Sequence, residues 1–112
     1  MEIWKYAVRI DDAEHDLSMP AGANVLHVGQ QSKIEVCFWA LVVPDAIRVV
    51  RRFRVFGTGQ PLGNASGVLL DYLGTTLAPP FVWHLFELLD EENADENADP
   101  TLKYLINERQ DK

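Results

Sequence analysis

Three histidines, one cysteine and a cluster of arginines are the groups in this 112-residue chain best equipped for chemistry. His15, His27 and His84 are scattered, and neither with one another nor with Cys37 do they show the spacing of a metal site. His84 lies between Trp83 and Leu85 in an apolar run, and a buried histidine needs a hydrogen-bond partner. Asp71 or Tyr72 can supply one, and Thr75 or Ser66 is the nucleophile of the hydrolase that such a histidine brings to mind. Nothing in the spacing specifies the geometry an activated nucleophile requires, so no catalytic residue, metal or cofactor is assigned.

Arg48, Arg51, Arg52 and Arg54 place four guanidinium groups in seven residues. Strand alternation puts Arg48, Arg52 and Arg54 on one face, where they can bind phosphate or an acidic partner. Their structural role would be a solvated face that discourages edge pairing, or a counter-charge for the chain's own acidic end. Next comes Gly57-Thr58-Gly59-Gln60-Pro61-Leu62-Gly63. Its third glycine is one place late for a dinucleotide fingerprint, and Pro61 stands where the phosphate-holding helix should begin. A tight turn at a strand end is the simpler reading, with anion binding by free backbone N–H groups as the alternative. The candidate ligand or partner residues are therefore Arg48, Arg52, Arg54, Gly57, Thr58, Gly59 and His84.

The formal charge of −7 is unevenly distributed. Residues 1–86 carry seven Lys/Arg against eight Asp/Glu, whereas residues 87–112 carry three against nine. Glu87, Asp90, Glu91, Glu92, Asp95, Glu96 and Asp99 fall within thirteen residues. Such a run is ordinarily a solubilising linker. The sharper reading makes Asp90, Glu91, Glu92, Asp95, Glu96 and Asp99 an acidic interaction surface for a basic groove, steered at long range and weakened by salt. Direct nucleic-acid binding is disfavoured by the same acidity.

These residues must be positioned by strands. Trp4, Tyr6, Val8 and Ile10 alternate with Lys5, Ala7 and Arg9, the period of a half-buried strand. Leu17 and Met19 sit on a return strand ending at Pro20-Ala21-Gly22, and Asn24 to Gln30 form the next. Ile34 to Val43 is apolar on both faces apart from Glu35, which predicts a central strand covered on two sides and a buried, inert Cys37. Arg48 to Phe56 and Leu69 to Leu77 are further strands, the latter with a bulge near Gly74. Phe81 to Glu87 fits strand or helix by periodicity, and its double proline and aromatic content favour strand. Trp4, Trp39 and Trp83 are expected to anchor the core. The fold class is mainly β: a compact antiparallel sandwich or partly open barrel of six to seven short strands. The β domain spans 1–89, an acidic linker 90–99, and a short amphipathic helix 100–110 capped by Asp99 and Pro100. That helix presents Leu102, Leu105 and Ile106 on one face and needs a surface in this domain or in another copy.

Several stretches in order carry a resemblance: Ile3-Trp4-Lys5-Tyr6, Met19-Pro20-Ala21-Gly22-Ala23, Leu26-His27-Val28, Trp39-Ala40-Leu41-Val42, Arg52 to Gly59, Tyr72-Leu73-Gly74-Thr75 and Phe81 to Glu87. In these the chain resembles a family of short phage and prophage proteins to which no activity is assigned. The resemblance covers roughly residues 1–87 and stops where the acidic segment begins, so that segment reads as an addition to the family domain. It implies a phage accessory protein of one compact domain, and it transfers no catalytic role to any residue.

The function expected is binding rather than catalysis. The chain is expected to contact a host protein and to inhibit a nuclease-based defence system such as CRISPR. A small-ligand protein that sequesters a nucleotide-type signal is the alternative, and a virion structural or assembly component, with oligomers formed through residues 100–110, is a further one. Met1-Glu2-Ile3-Trp4-Lys5 resembles no secretory leader, and no apolar run approaches the ~20 residues of a membrane span. With a single cysteine, the expected location is the cytoplasm of the infected bacterial cell.

Overall fold

The computed structural model describes residues 1–62 and 68–90, and within them all regular structure is β. The strands are β1 (Glu2–Arg9), β2 (His15–Pro20), β3 (Asn24–Gly29), β4 (Glu35–Val42), β5 (Arg48–Gly57), β6 (Val68–Ala78) and β7 (Phe81–Asp90). They form two antiparallel sheets, one ordered β1-β4-β3 and the other β2-β5-β7-β6, and no pairing between described strands closes them into a barrel. The run 81–90 is strand, as its prolines and aromatics suggest. Asp90, expected to open the acidic linker 90–99, is the last residue of β7, while the rest of that linker, the expected helix at 100–110, Gly63 and Ser66 lie outside the described residues.

The chain passes between the sheets at β1–β2, β2–β3 and β4–β5. Each passage is a short turn built from residues suited to it. At Gly22 the backbone takes φ +79, a left-handed conformation that costs glycine no Cβ clash, and Ala23 N–H donates to Pro20 C=O at 3.2 Å. Between β1 and β2 the Asp11 carboxylate accepts from Ala13 N–H at 2.9 Å and meets His15 Nε2 at 2.8 Å. The His15 contact, then the Ala13 amide, holds Asp11 below its ordinary value of 3.8. A lowered carboxyl pKa contributes stability above the unfolded value and loses it as pH falls through the folded one. An NMR titration should therefore place the Asp11 midpoint below 3.8, and His15→Ala should move it up.

Alternation sends one residue in two of each strand inward. Val8, Val28, Val36, Phe38, Ala40 and Val42 from the first sheet meet Met19, Phe53, Val55 and Leu85 from the second in one buried cluster. Phe38 and Phe53 touch across it, with ring centroids 4.9 Å apart. Trp4 and Trp83 pack against this cluster, as expected of core anchors. Trp39 does not. It is on the same strand as Phe38 but points the other way, so it lies half-buried on the outer face of the three-stranded sheet. The expectation that β4 is covered on both sides fails for the same reason: no described element packs over that face. Cys37 is nonetheless only 3% exposed.

Candidate functional site

The outer face of the four-stranded sheet collects most of the residues singled out in the sequence. Thr58 Oγ1 meets His84 Nε2 at 2.7 Å, Thr75 Oγ1 meets His84 Nδ1 at 2.9 Å, and Tyr72 Oη bonds Thr75 Oγ1. The result is a Thr58–His84–Thr75–Tyr72 chain of hydrogen-bonding groups that runs from the turn after β5 across β7 to β6. Its assembly depends on a bulge. Tyr72 and Thr75 are three apart and would face opposite ways in a regular strand, but the register of β6 on β7 slips between Tyr72 and Gly74 and returns Thr75 to the outer face. This places the bulge where the sequence suggested.

Of the two partners proposed for His84, Tyr72 enters the chain at second remove. Asp71 pairs in register with Glu87, a buried residue of the opposite face, and so points away from the imidazole. The four groups can exchange protons along their length, but none is a carboxylate that would orient the ring as a general base, a role each ring nitrogen's hydroxyl partner fills only weakly.

The arginines separate. Arg48 folds over the Trp4 ring, 4.9 Å from its centroid. Arg52 is held by Asp16 at 3.0 Å and Glu14 at 3.6 Å. Arg54 lies over the Phe56 ring at 4.6 Å, and its Nε is buried without a hydrogen-bond partner. The glycine turn spends its backbone donors internally: Gly57 N–H donates to Gln60 Oε1 at 3.0 Å, Thr58 N–H to Val82 C=O at 3.2 Å, and Gln60 N–H to Gly57 C=O at 3.0 Å. Gly59, at φ +88, makes the reversal possible. An anion approaching this turn would have to displace those acceptors.

Arg51, outside the candidate set, has a fully built polar environment. Its Nε and Nη2 donate to the two oxygens of Glu87, each at 2.7 Å, and Nη1 donates to Ala23 C=O at 2.6 Å. The Glu87 side chain is 5% exposed and that of Arg51 20%. The Glu87 hydrogen bond raises the Arg51 pKa above its ordinary value, against the opposing effect of burial. Glu87 is therefore no part of an acidic surface. A sequence signal for the pair existed: each residue interrupts an otherwise apolar stripe, Arg51 among Phe53 and Val55, Glu87 among Leu85 and Leu89. Beside it, where β5 and β7 diverge beyond the Arg52–Leu88 pair, a cleft of about 190 Å³ opens among Asp16, Arg51, Arg52, Glu87 and Leu88. Its two cations already face carboxylates, which disfavours a further anion.

The outer face of the three-stranded sheet is different in kind. Ile3 lies opposite Leu41, Lys5 opposite Trp39 and Ala7 opposite Cys37, while His27 packs against Trp39 with centroids 5.9 Å apart. The Trp39 ring lies over Gly29, where an added Cβ would come within 3.1 Å of it. That contact and His27 fix the indole in one place. Among the described residues, no group of three or more His, Cys, Asp or Glu is arranged to hold a metal.

Residues 1–96 match a family described as a domain of unknown function, DUF7352. The chain belongs to this family. The match continues through Glu96, so the family domain takes in most of the acidic segment that the resemblance over 1–87 had placed beyond it. No curated protein and no solved structure matches the chain.

Proposed function

We propose that this protein is a non-enzymatic binding protein that engages a protein partner through the outer face of its three-stranded sheet. The observation that carries the reading is Trp39, fixed over Gly29 and flanked by Leu41, Ala7 and Ile3, the last 62% exposed, on a face that no described element covers. A rigidly held tryptophan with apolar neighbours along the face, here set between the directly opposed Lys5 and His27 and with Glu35 and Asn24 at the rim, is the kind of anchor that dominates protein–protein affinity. The acidic residues from Asp90 to Asp99 supply a second, electrostatic element, which favours a partner with a basic groove. A host nuclease of a defence system, met in the cytoplasm of an infected cell, has such a groove. That narrower reading is supported by the sequence resemblance and the acidic segment alone.

The test is capture from bacterial lysate at low and high salt, followed by affinity measurement with the purified partner. Trp39→Ala should weaken binding by at least about 30-fold, the loss typical of an interface hot spot, with no change in melting temperature beyond that of a surface substitution. Replacing the carboxylates of 90–99 by their amides should reduce the association rate at low salt and matter little at high salt. Capture of no specific partner at either salt, or binding unchanged in Trp39→Ala, would overturn the proposal.

A further inference from the structure

A second site, independent of the sheet face, lies at the end of the molecule where the β6–β7 hairpin turns beside the loop after β3. A cleft of about 370 Å³ opens there among Gln30, Lys33, Ala78, Pro79, Pro80, Phe81 and Trp83. Its volume is at the lower end of ligand pockets, which run from about 300 to 1,000 Å³. Three features of the lining are chemically specific. The rings of Phe81 and Trp83 stack at 5.5 Å and 22°, and Phe81 remains 57% exposed, leaving a flat aromatic surface uncovered. Gln30 Oε1 is shielded from solvent and accepts no hydrogen bond. Lys33 is exposed, and none of the ion pairs among the described residues involves it.

Each feature leaves a physical requirement unmet. A buried carbonyl oxygen without a donor has lost its hydrogen bond to water and gained none in return, so Gln30 Oε1 favours any ligand that brings an N–H to it. The open aromatic face favours a planar ring, since stacking is worth most when the ring it meets is already fixed, as Phe81 is by Trp83. Lys33 favours an anion as a flexible point charge. A planar heteroaromatic ring with an N–H edge and an attached phosphate satisfies all three, and the cleft has room for one such unit.

We infer that this cleft binds a mononucleotide-type ligand, its base stacked on Phe81, a base N–H donated to Gln30 Oε1 and its phosphate against Lys33. The arginines and the glycine turn, where the sequence placed such a function, take no part in it.

The experiment is an NMR titration of the full chain with the four ribonucleoside monophosphates, the matching nucleosides, and inorganic phosphate. At least one monophosphate should shift the amide signals of Gln30, Lys33, Phe81 and Trp83 together. Phe81 is largely exposed, so Phe81→Ala should fold normally and weaken binding at least about fivefold, the lower bound for a base–aromatic stack. Lys33→Met should bring the monophosphate down to the affinity of its nucleoside and leave the nucleoside unchanged. Absence of shifts at millimolar ligand, an affinity unchanged in Phe81→Ala, or equal response to inorganic phosphate alone would overturn the proposal. None of these outcomes bears on Trp39 and its partner, so the two readings fail separately.

Discussion

Replacing Glu87 by alanine is expected to cost about 3–5 kcal/mol of folding stability, a large part of the roughly 5–15 kcal/mol that holds a domain of this size together. The reason is the partner left behind. Arg51 keeps its charge at any accessible pH, and its side chain is four-fifths shielded, with Nε and Nη2 committed to the Glu87 oxygens at 2.7 Å. Without the carboxylate, two buried N–H donors lose their acceptor and the charge loses its counter-ion. Arg51→Ala should be nearly as damaging, because it strands Glu87 and also releases Ala23 C=O, which tethers the β2–β3 passage to β5. Removing both charges has a different consequence. Arg51→Met with Glu87→Leu fills the same space with apolar groups, and it should recover most of the loss or exceed wild-type stability. Chemical denaturation of the two single variants and the double variant decides the matter. A Glu87→Ala loss under about 1 kcal/mol, the range of a solvent-exposed pair, would show that the pair is effectively solvated.

How this pair escaped the sequence reading marks the boundary of what a sequence makes legible. Alternation correctly assigned Arg51 to the face of Val49, Phe53 and Val55, and the outward face to Arg52 and Arg54. It could not say that the inward arginine would be met by Glu87, because the pairing of β5 with β7 skips over β6 and is invisible in local pattern. Glu87 was instead grouped with the acidic run that follows it. Trp39 fails in the opposite direction. An apolar strand reads as buried on both faces whether its second face is covered or open, and only the architecture shows that the three-stranded sheet has nothing described above it. The hydroxyls around His84 were half legible: Thr75 and Tyr72 were named beside it, but Thr58 reaches it from across a strand pair. The cleft at Pro79-Pro80 gave no signal, since Gln30 and Phe81 are brought together by the stacking of two hairpins from different sheets. The seven strands were legible because period-2 patterning and turn residues are local properties. The contacts that make sites are not.

Gly74→Ala is the second substitution expected to have a large effect, and its test separates two causes. An alanine Cβ at this position would come within 2.6 Å of Val28 Cγ2 and 2.7 Å of Val28 Cβ, closer than carbon atoms pack. Here the edge strand β3 of one sheet meets the edge strand β6 of the other, and Val28 fills the space that the missing side chain leaves. The added methyl must push the sheets apart, which should cost about 1–3 kcal/mol. Val28→Ala cannot relieve it, because the Val28 Cβ itself is one of the clashing atoms. Val28→Gly can: with Gly74→Ala it moves the single side chain from one sheet to the other. The double variant should therefore be more stable than the sum of the single losses predicts, by a coupling of about 0.5–3 kcal/mol. If the cost of Gly74→Ala came instead from the bulge conformation, the double variant would show simple additivity. The bulge also sets the position of Thr75, so the separation of the sheets has a local readout. In Gly74→Ala the His84 ring should lose its Thr75 contact, seen as a change in its imidazole nitrogen shifts, and in the double variant that signal should return.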